Sequence, residues 1–143
     1  MRLYFDTAYL GKCYWNEPNG GRVRDLARQA DGLYSSAICI AEMALLAHRK
    51  VREGPITLGD AAIRQDLFLD DVNNGVITAV PVTERLLRSV EARTRVLPPS
   101  CYLRTFDALH LVTAADSGFS EVWTNDRHML AAAPYFGLVG RSV

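Results

Sequence analysis

The sequence predicts a three-layer α/β/α fold around a central, mostly parallel sheet of about five strands. Short apolar or β-branched runs alternate with longer helical patterns along the whole chain, most clearly at Val76-Ile77-Thr78-Ala79-Val80. That alternation implies right-handed crossovers and therefore parallel pairing. The first run, Leu3-Tyr4-Phe5, is apolar without a polar alternate, as suits a strand covered on both faces. A late helical stretch, from Arg104 to Ser117, is apolar almost all round and must therefore be buried.

The first strand reads as Arg2 to Thr7, its apolar run stopping at Asp6. A short helical pattern from Thr7 to Trp15 follows and closes in the loop Asn16-Glu17-Pro18-Asn19-Gly20-Gly21. Val23, Leu26, Ala27 and Ala30 recur at helical spacing before Asp31-Gly32, and Leu33 to Ser36 is the second strand. Ala37 to Glu53 is a long helix whose basic end, Arg49/Lys50/Arg52, complements its dipole. Thr57 caps a further helix through Ala61, Ile63, Leu67 and Phe68, and Asn73-Asn74-Gly75 turns the chain into the third strand, Val76 to Val80. Pro81-Val82-Thr83 leads into a helix through Leu86, Leu87, Val90 and Ala92, which Pro98-Pro99-Ser100 ends. After the apolar helix come a fourth strand at Glu121 to Thr124, a brief helix at Arg127 to Ala133, and a fifth strand at Phe136 to Val139.

The totals bound the class. A chain of 143 residues, 49% hydrophobic and 22% charged, is ordinary globular composition for one domain spanning residues 1–143. No apolar run approaches the ~20 residues of a membrane span, and the start lacks a signal-peptide pattern, so a cytoplasmic location is the default expectation. Three dispersed cysteines, Cys13, Cys39 and Cys101, argue against a disulfide framework and a thiolate zinc site, and read as small buried hydrophobes. A net charge of zero removes any global pull toward nucleic acid, although the arginines fall in local groups.

Several acids stand where burial is expected. Asp6 follows a buried strand, and in an open parallel sheet ligands collect outside the carboxyl ends of the strands. Asp126 repeats the situation after the fourth strand. Each has a simpler reading as a helix N-cap, with Thr124 and Asn125 as rival caps in the second case. Glu42 lies in the first turns after the second strand among Ile40, Ala41, Met43 and Ala44, where a helix rim facing solvent is the plain alternative. Asp107 sits in the apolar helix itself. The helix dipole favours an anion there by ~0.3–1 kcal/mol, too little to offset a buried charge, which costs several kcal/mol without a partner.

Two carboxylates ~4 Å apart repel by ~4 kcal/mol at an effective dielectric of 20, so a cluster of four needs a cation. Oxygen donors without a Cys or His set point to Mg²⁺ or Mn²⁺, which could polarise a phosphoryl oxygen and activate water. His110, one turn after Asp107, is placed either as an acid/base or as a packing and supporting residue. His48 and His128 read as surface residues.

The ordered set of Asp6-Thr7 after the first strand, Ser35-Ser36 before the helix bearing Glu42, Arg104-Thr105-Phe106-Asp107-Ala108-Leu109-His110-Leu111, and Thr124-Asn125-Asp126 resembles the PIN-domain family. Within that family it resembles the VapC-type toxins of toxin–antitoxin pairs, over essentially the whole chain. The third segment is the most specific. The resemblance implies a Mg²⁺- or Mn²⁺-dependent endoribonuclease in which Asp6, Glu42, Asp107 and Asp126 ligate metal or the attacking water. Thr7 and Thr124 would orient those acids, with His110 and Asn125 beside them, and Arg104 would hold a phosphate. It further implies an RNA substrate such as tRNA or another structured RNA, a cognate antitoxin seated in the active-site groove, and a homodimer.

Other readings are open to the residues. An Asp-nucleophile phosphatase wants a second Asp two residues after the first, where this chain has Ala8. A phosphate-accepting receiver domain wants a Lys near a strand end, and Lys12 and Lys50 fall in predicted helices. A PIN-like module that binds RNA without cutting it is opposed by the intact acid set.

Overall fold

The computed structural model describes residues 1–143. Strand β1 (Arg2–Tyr4) is followed by helices α1 (Thr7–Tyr14) and α2 (Gly20–Gln29), then strand β2 (Gly32–Ser36). Helices α3 (Cys39–Glu53) and α4 (Leu58–Asn73) lead to β3 (Ile77–Val80), and α5 (Glu84–Arg95) and α6 (Thr105–Asp116) to β4 (Glu121–Trp123). Helix α7 (Arg127–Ala132) and a 3₁₀ turn (Ala133–Phe136) end in β5 (Val139–Arg141). No helix is long and apolar enough to cross a membrane.

All pairing is parallel, as the crossovers require. Leu3 pairs with Leu33 and Tyr4 with Tyr34, while Tyr34 and Ser36 pair with Thr78 and Val80. The expected single sheet of about five strands is in fact divided. β1–β2–β3 form one ladder and β4–β5 another, joined by the Phe5–Trp123 bridge, where the Asp6 N–H donates to the Trp123 carbonyl at 3.1 Å. The reason is that β1 ends early: Asp6 caps α1 and Thr7 begins it, so little strand is left to pair with β4. The resulting order is β3–β2–β1–β4–β5. The chain moves outward from β1 to β3, then returns to β1's other side, which makes the β1/β4 junction the switch point where α/β sheets hold ligands.

The sheet separates two apolar clusters, one per face. Leu3 and Phe5 point into the first with Tyr9, Leu10, Met43 and Phe68. Tyr4 points the other way, with Leu109, Val112, Val122, Met129 and Phe136. This is the period-two alternation of a strand buried on both sides. In α6 every residue from Ala108 to Ala114 is buried, as its composition requires. Thr57 and Thr83 cap α4 and α5 by accepting from the Asp60 and Leu86 N–H groups.

The last strand is displaced from its expected position. Phe136 belongs to the 3₁₀ turn and Gly137 adopts φ +72°, which reverses the chain before Val139. Phe136 and Leu138 are buried in the core while the β5 residues are largely solvent-facing. Apolarity therefore marked the turn rather than the edge strand. Of the cysteines, Cys39 is buried, whereas Cys13 and Cys101 are only half-buried; all three are free.

Candidate active site

A cleft of about 680 Å³ opens over the carboxyl ends of β1 and β4, bounded by α3 and α6. Asp6, Thr7, Glu42, Arg104, Asp107, His110 and Asp126 all line it. Four acids 19 to 120 positions apart in the chain, Asp6, Glu42, Asp107 and Asp126, are brought together because each lies at a strand end or in the first turns of a helix.

Asp6 forms the floor and is 4% exposed. It does both of the things its position allows. Its Oδ1 accepts the Tyr9 N–H at 2.9 Å as the N-cap of α1, and its Oδ2 accepts the Thr124 hydroxyl at 2.5 Å. Burial pushes its carboxyl above the usual range, with a smaller push from Asp107, against the opposing influence of nearby His110 and the bonds from Thr124 and Tyr9. Thr124 is itself fully buried and also accepts the Asp126 N–H at 3.0 Å, so one hydroxyl ties both strand-end acids together.

Glu42 is held differently. Its Oε1 accepts the Thr7 hydroxyl at 2.6 Å and lies 3.0 Å from His110 Nε2. Burial pushes this carboxyl up, but the hydrogen bonds from His110 and Thr7, with Arg104 nearby, outweigh it and hold it below its usual value. His110 is 2% exposed and bridges outward as well: Nε2 is 3.1 Å from Thr7 Oγ1, and Nδ1 is 3.0 Å from the Tyr4 hydroxyl.

The rim carries the other two acids. Asp126 caps α7, its Oδ1 accepting the His128 and Met129 N–H groups at 2.8 and 3.0 Å. Its Oδ2 lies 3.6 Å from Arg104, whose Nε lies 3.3 Å from Asp107 Oδ2. Arg104 thus stands between two of the acids as a cation. Its bond to Asp107 and the charges of Asp107 and Asp126 raise its own pKa further.

No three of the His, Cys, Asp and Glu side chains converge closely enough to form a closed metal cage. Each acid is instead engaged by a hydroxyl, a backbone N–H or Arg104. The donor chemistry nevertheless fits a hard divalent cation: four carboxylates, no thiolate, and a buried Asp6 whose ionised form a cation would favour.

Asn125 does not join the cleft. It is exposed, and its side-chain oxygen accepts the Ser142 hydroxyl at 2.7 Å. Other residues, not expected from the sequence, do join it: His48, Arg49, Arg52 and Phe106. His48 is exposed as expected, yet it faces the cleft. A signal existed for the arginines, since Glu42, Leu45, Arg49 and Arg52 recur at helical spacing on one face of α3.

The PIN domain model matches residues 3–134 of the chain. Among solved structures, the chain is similar to that of FitAB bound to an IR36 DNA fragment, with a TM-score of 0.69 at 18% identity over 99% of this chain and 94% of that one. It is also similar to FitAcB from Neisseria gonorrhoeae, with a TM-score of 0.64 at 14% identity over 98% of this chain and 96% of that one. At those identities the likeness is one of fold. No curated protein matches the sequence. With the family model covering nearly the whole chain and the acids gathered at the switch point of its sheet, the protein belongs to the PIN domain family.

Proposed function

We propose that the protein is a Mg²⁺- or Mn²⁺-dependent endoribonuclease, the VapC-type toxin of a toxin–antitoxin pair. The observation that carries this reading is the convergence of Asp6, Glu42, Asp107 and Asp126, from four separate segments, on one cleft of a PIN domain. PIN domains are generally nucleases. The partners that follow are an RNA substrate, a cognate antitoxin and a second copy of the chain, in the cytoplasm.

In this reading the four acids would hold the cation, which when bound would polarise a phosphoryl oxygen and ease deprotonation of the attacking water. The chain's own groups supply the rest. Thr124 and the Tyr9 N–H hold Asp6 in one orientation over the sheet edge. Thr7 and His110 favour the ionised form of Glu42 and fix its carboxylate beside Asp6 on the cleft floor. Arg104 is placed to exchange its carboxylate partners for a phosphodiester oxygen, and Arg49 and Arg52 add positive charge on the facing helix.

The test is incubation of purified protein with total cellular RNA in Mn²⁺ or Mg²⁺, against EDTA and against Asp6→Asn. Discrete fragments that require both metal and Asp6 are expected. Intact RNA in every lane, from protein freed of any co-purified partner, overturns the reading.

A further inference from the structure

We propose that Phe106 is a base-stacking platform, the ring against which an unpaired nucleobase lies beside the phosphate that the cleft holds. That this phosphate is the one cut rests on the nuclease reading above, whereas the stacking itself does not.

Phe106 is a large apolar residue that the fold does not use. Helix α6 is buried without a break from Ala108 to Ala114, but Phe106 stands in its first turn, before that stretch begins. It belongs to neither apolar cluster and is 47% exposed. Side chains lean toward the N-terminus of their helix, so a ring in the first turn leans past the end of the core. A lone exposed aromatic is ordinary on an open surface. This one lines the acid cleft instead, between Arg104 and Asp107 in the chain.

The surroundings decide what covers it. On its own wall stands Arg104, a guanidinium 66% exposed and paired with Asp107 and Asp126. The opposite wall is α3, which packs into the first apolar cluster while α6 packs into the second. From there Leu45, 67% exposed, and the cations Arg49 and Arg52 face the same cleft. Cations able to hold backbone phosphates thus stand beside a flat apolar ring, the combination by which proteins hold single-stranded nucleic acid. A base offers its π-face only where it is unpaired and unstacked, so the interior of a duplex gives Phe106 nothing to bind.

A protein partner fits this surface less well. The large exposed apolar side chains in the cleft are Leu45 and Phe106, on opposite walls of an acid floor and bordered by arginines. A stable protein interface needs ~800 Å² per partner with an apolar centre. One ring matches one base.

The test measures binding of full-length protein to a fluorescent RNA of about 12 nucleotides without self-complementarity, by anisotropy, with Ca²⁺ present to neutralise the acids. Phe106→Ala is expected to weaken binding about tenfold and to leave its salt dependence unchanged, because stacking displaces no counterion. Arg104→Gln is expected instead to flatten the slope of log K against log salt by about 0.7, the share of one phosphate contact. Phe106→Trp should bind within about twofold of wild type, while Phe106→Leu, apolar but without a π-face, should stay nearer to Phe106→Ala. The same RNA annealed to its complement should bind wild type and Phe106→Ala alike.

Four results each overturn the proposal: wild type that binds no single strand, Phe106→Ala that binds it like wild type, an equal loss on single strand and duplex, or a loss that Leu restores as well as Trp. The last result marks plain apolar contact, as a protein partner would make. Cleavage in Mn²⁺ separates this proposal from the nuclease reading. Protein that binds with the expected dependence on Phe106 and cuts nothing keeps the platform and loses the nuclease. Protein that cuts equally well with Phe106→Ala, and binds equally well, keeps the nuclease and loses the platform.

Discussion

The floor and the rim of the cleft hold their acids by opposite means. On the floor, Asp6 and Glu42 are engaged by hydroxyls, a backbone N–H and an imidazole, most of them buried. At the rim, Asp107 and Asp126 face Arg104, whose side chain is 66% exposed. Buried hydrogen bonds are costly to break because each orphaned group loses water as well as its partner. Exposed ion pairs are worth little to stability because solvent screens them. The floor should therefore carry the fold as well as the chemistry, and the rim the chemistry alone.

The largest expected effect comes from attacking the floor. Thr124→Val keeps the shape of a fully buried side chain but strips Asp6 of a donor and the Asp126 N–H of an acceptor. Each orphaned group costs roughly 1–3 kcal/mol, so the urea midpoint should drop clearly. A loss no greater than that of a rim variant would erase the distinction.

A smaller effect of opposite sign is expected at Asp6 itself. A carboxyl whose folded pKa lies above its unfolded value binds its proton more tightly in the folded state. Between those two values stability therefore falls as pH rises. Asn caps a helix about as well as Asp and carries no charge. Metal-free Asp6→Asn should thus be more stable than wild type at neutral pH, and the advantage should shrink as pH is lowered. Glu42 has the reverse sign, since its depressed carboxyl contributes stability that is lost only on acidification through its folded pKa. Thermal unfolding from pH 4 to pH 8 separates the two.

The smallest stability effect is expected at the rim. Arg104→Gln should change the unfolding free energy by less than about 0.5 kcal/mol. RNA cleavage should nonetheless fall about tenfold, the worth of one charge-assisted hydrogen bond to phosphate. A variant that loses stability and not cleavage would make Arg104 a structural clamp on the two acids.

Much of this was legible without coordinates, for a physical reason in each case. Asp107 betrayed itself because a helix buried from Ala108 to Ala114 has no use for an acid in its first turn. Asp6 and Asp126 were visible as strand-ending carboxylates, and the cap and site readings turned out to coexist, because each acid has two oxygens and spends one on the helix. Arg49 and Arg52 were masked by their usual role at a helix C-terminus, where basic residues need no further explanation. The fifth strand was misplaced because burial, not strand geometry, is what apolar residues report, and Phe136 and Leu138 are buried beside a turn.

By itself the sequence determined the layers, the parallel pairing and the identity of the acids, since these depend on local periodicity and on which residues cannot be buried alone. It could not say what stands between the acids. Arg104 between Asp107 and Asp126 at the rim, and the Tyr4–His110–Glu42 chain beneath it, depend on side chains 22 to 106 positions apart coming together. Only the return of β4 to the free side of β1, and the packing of α6 across that junction, brings them within reach.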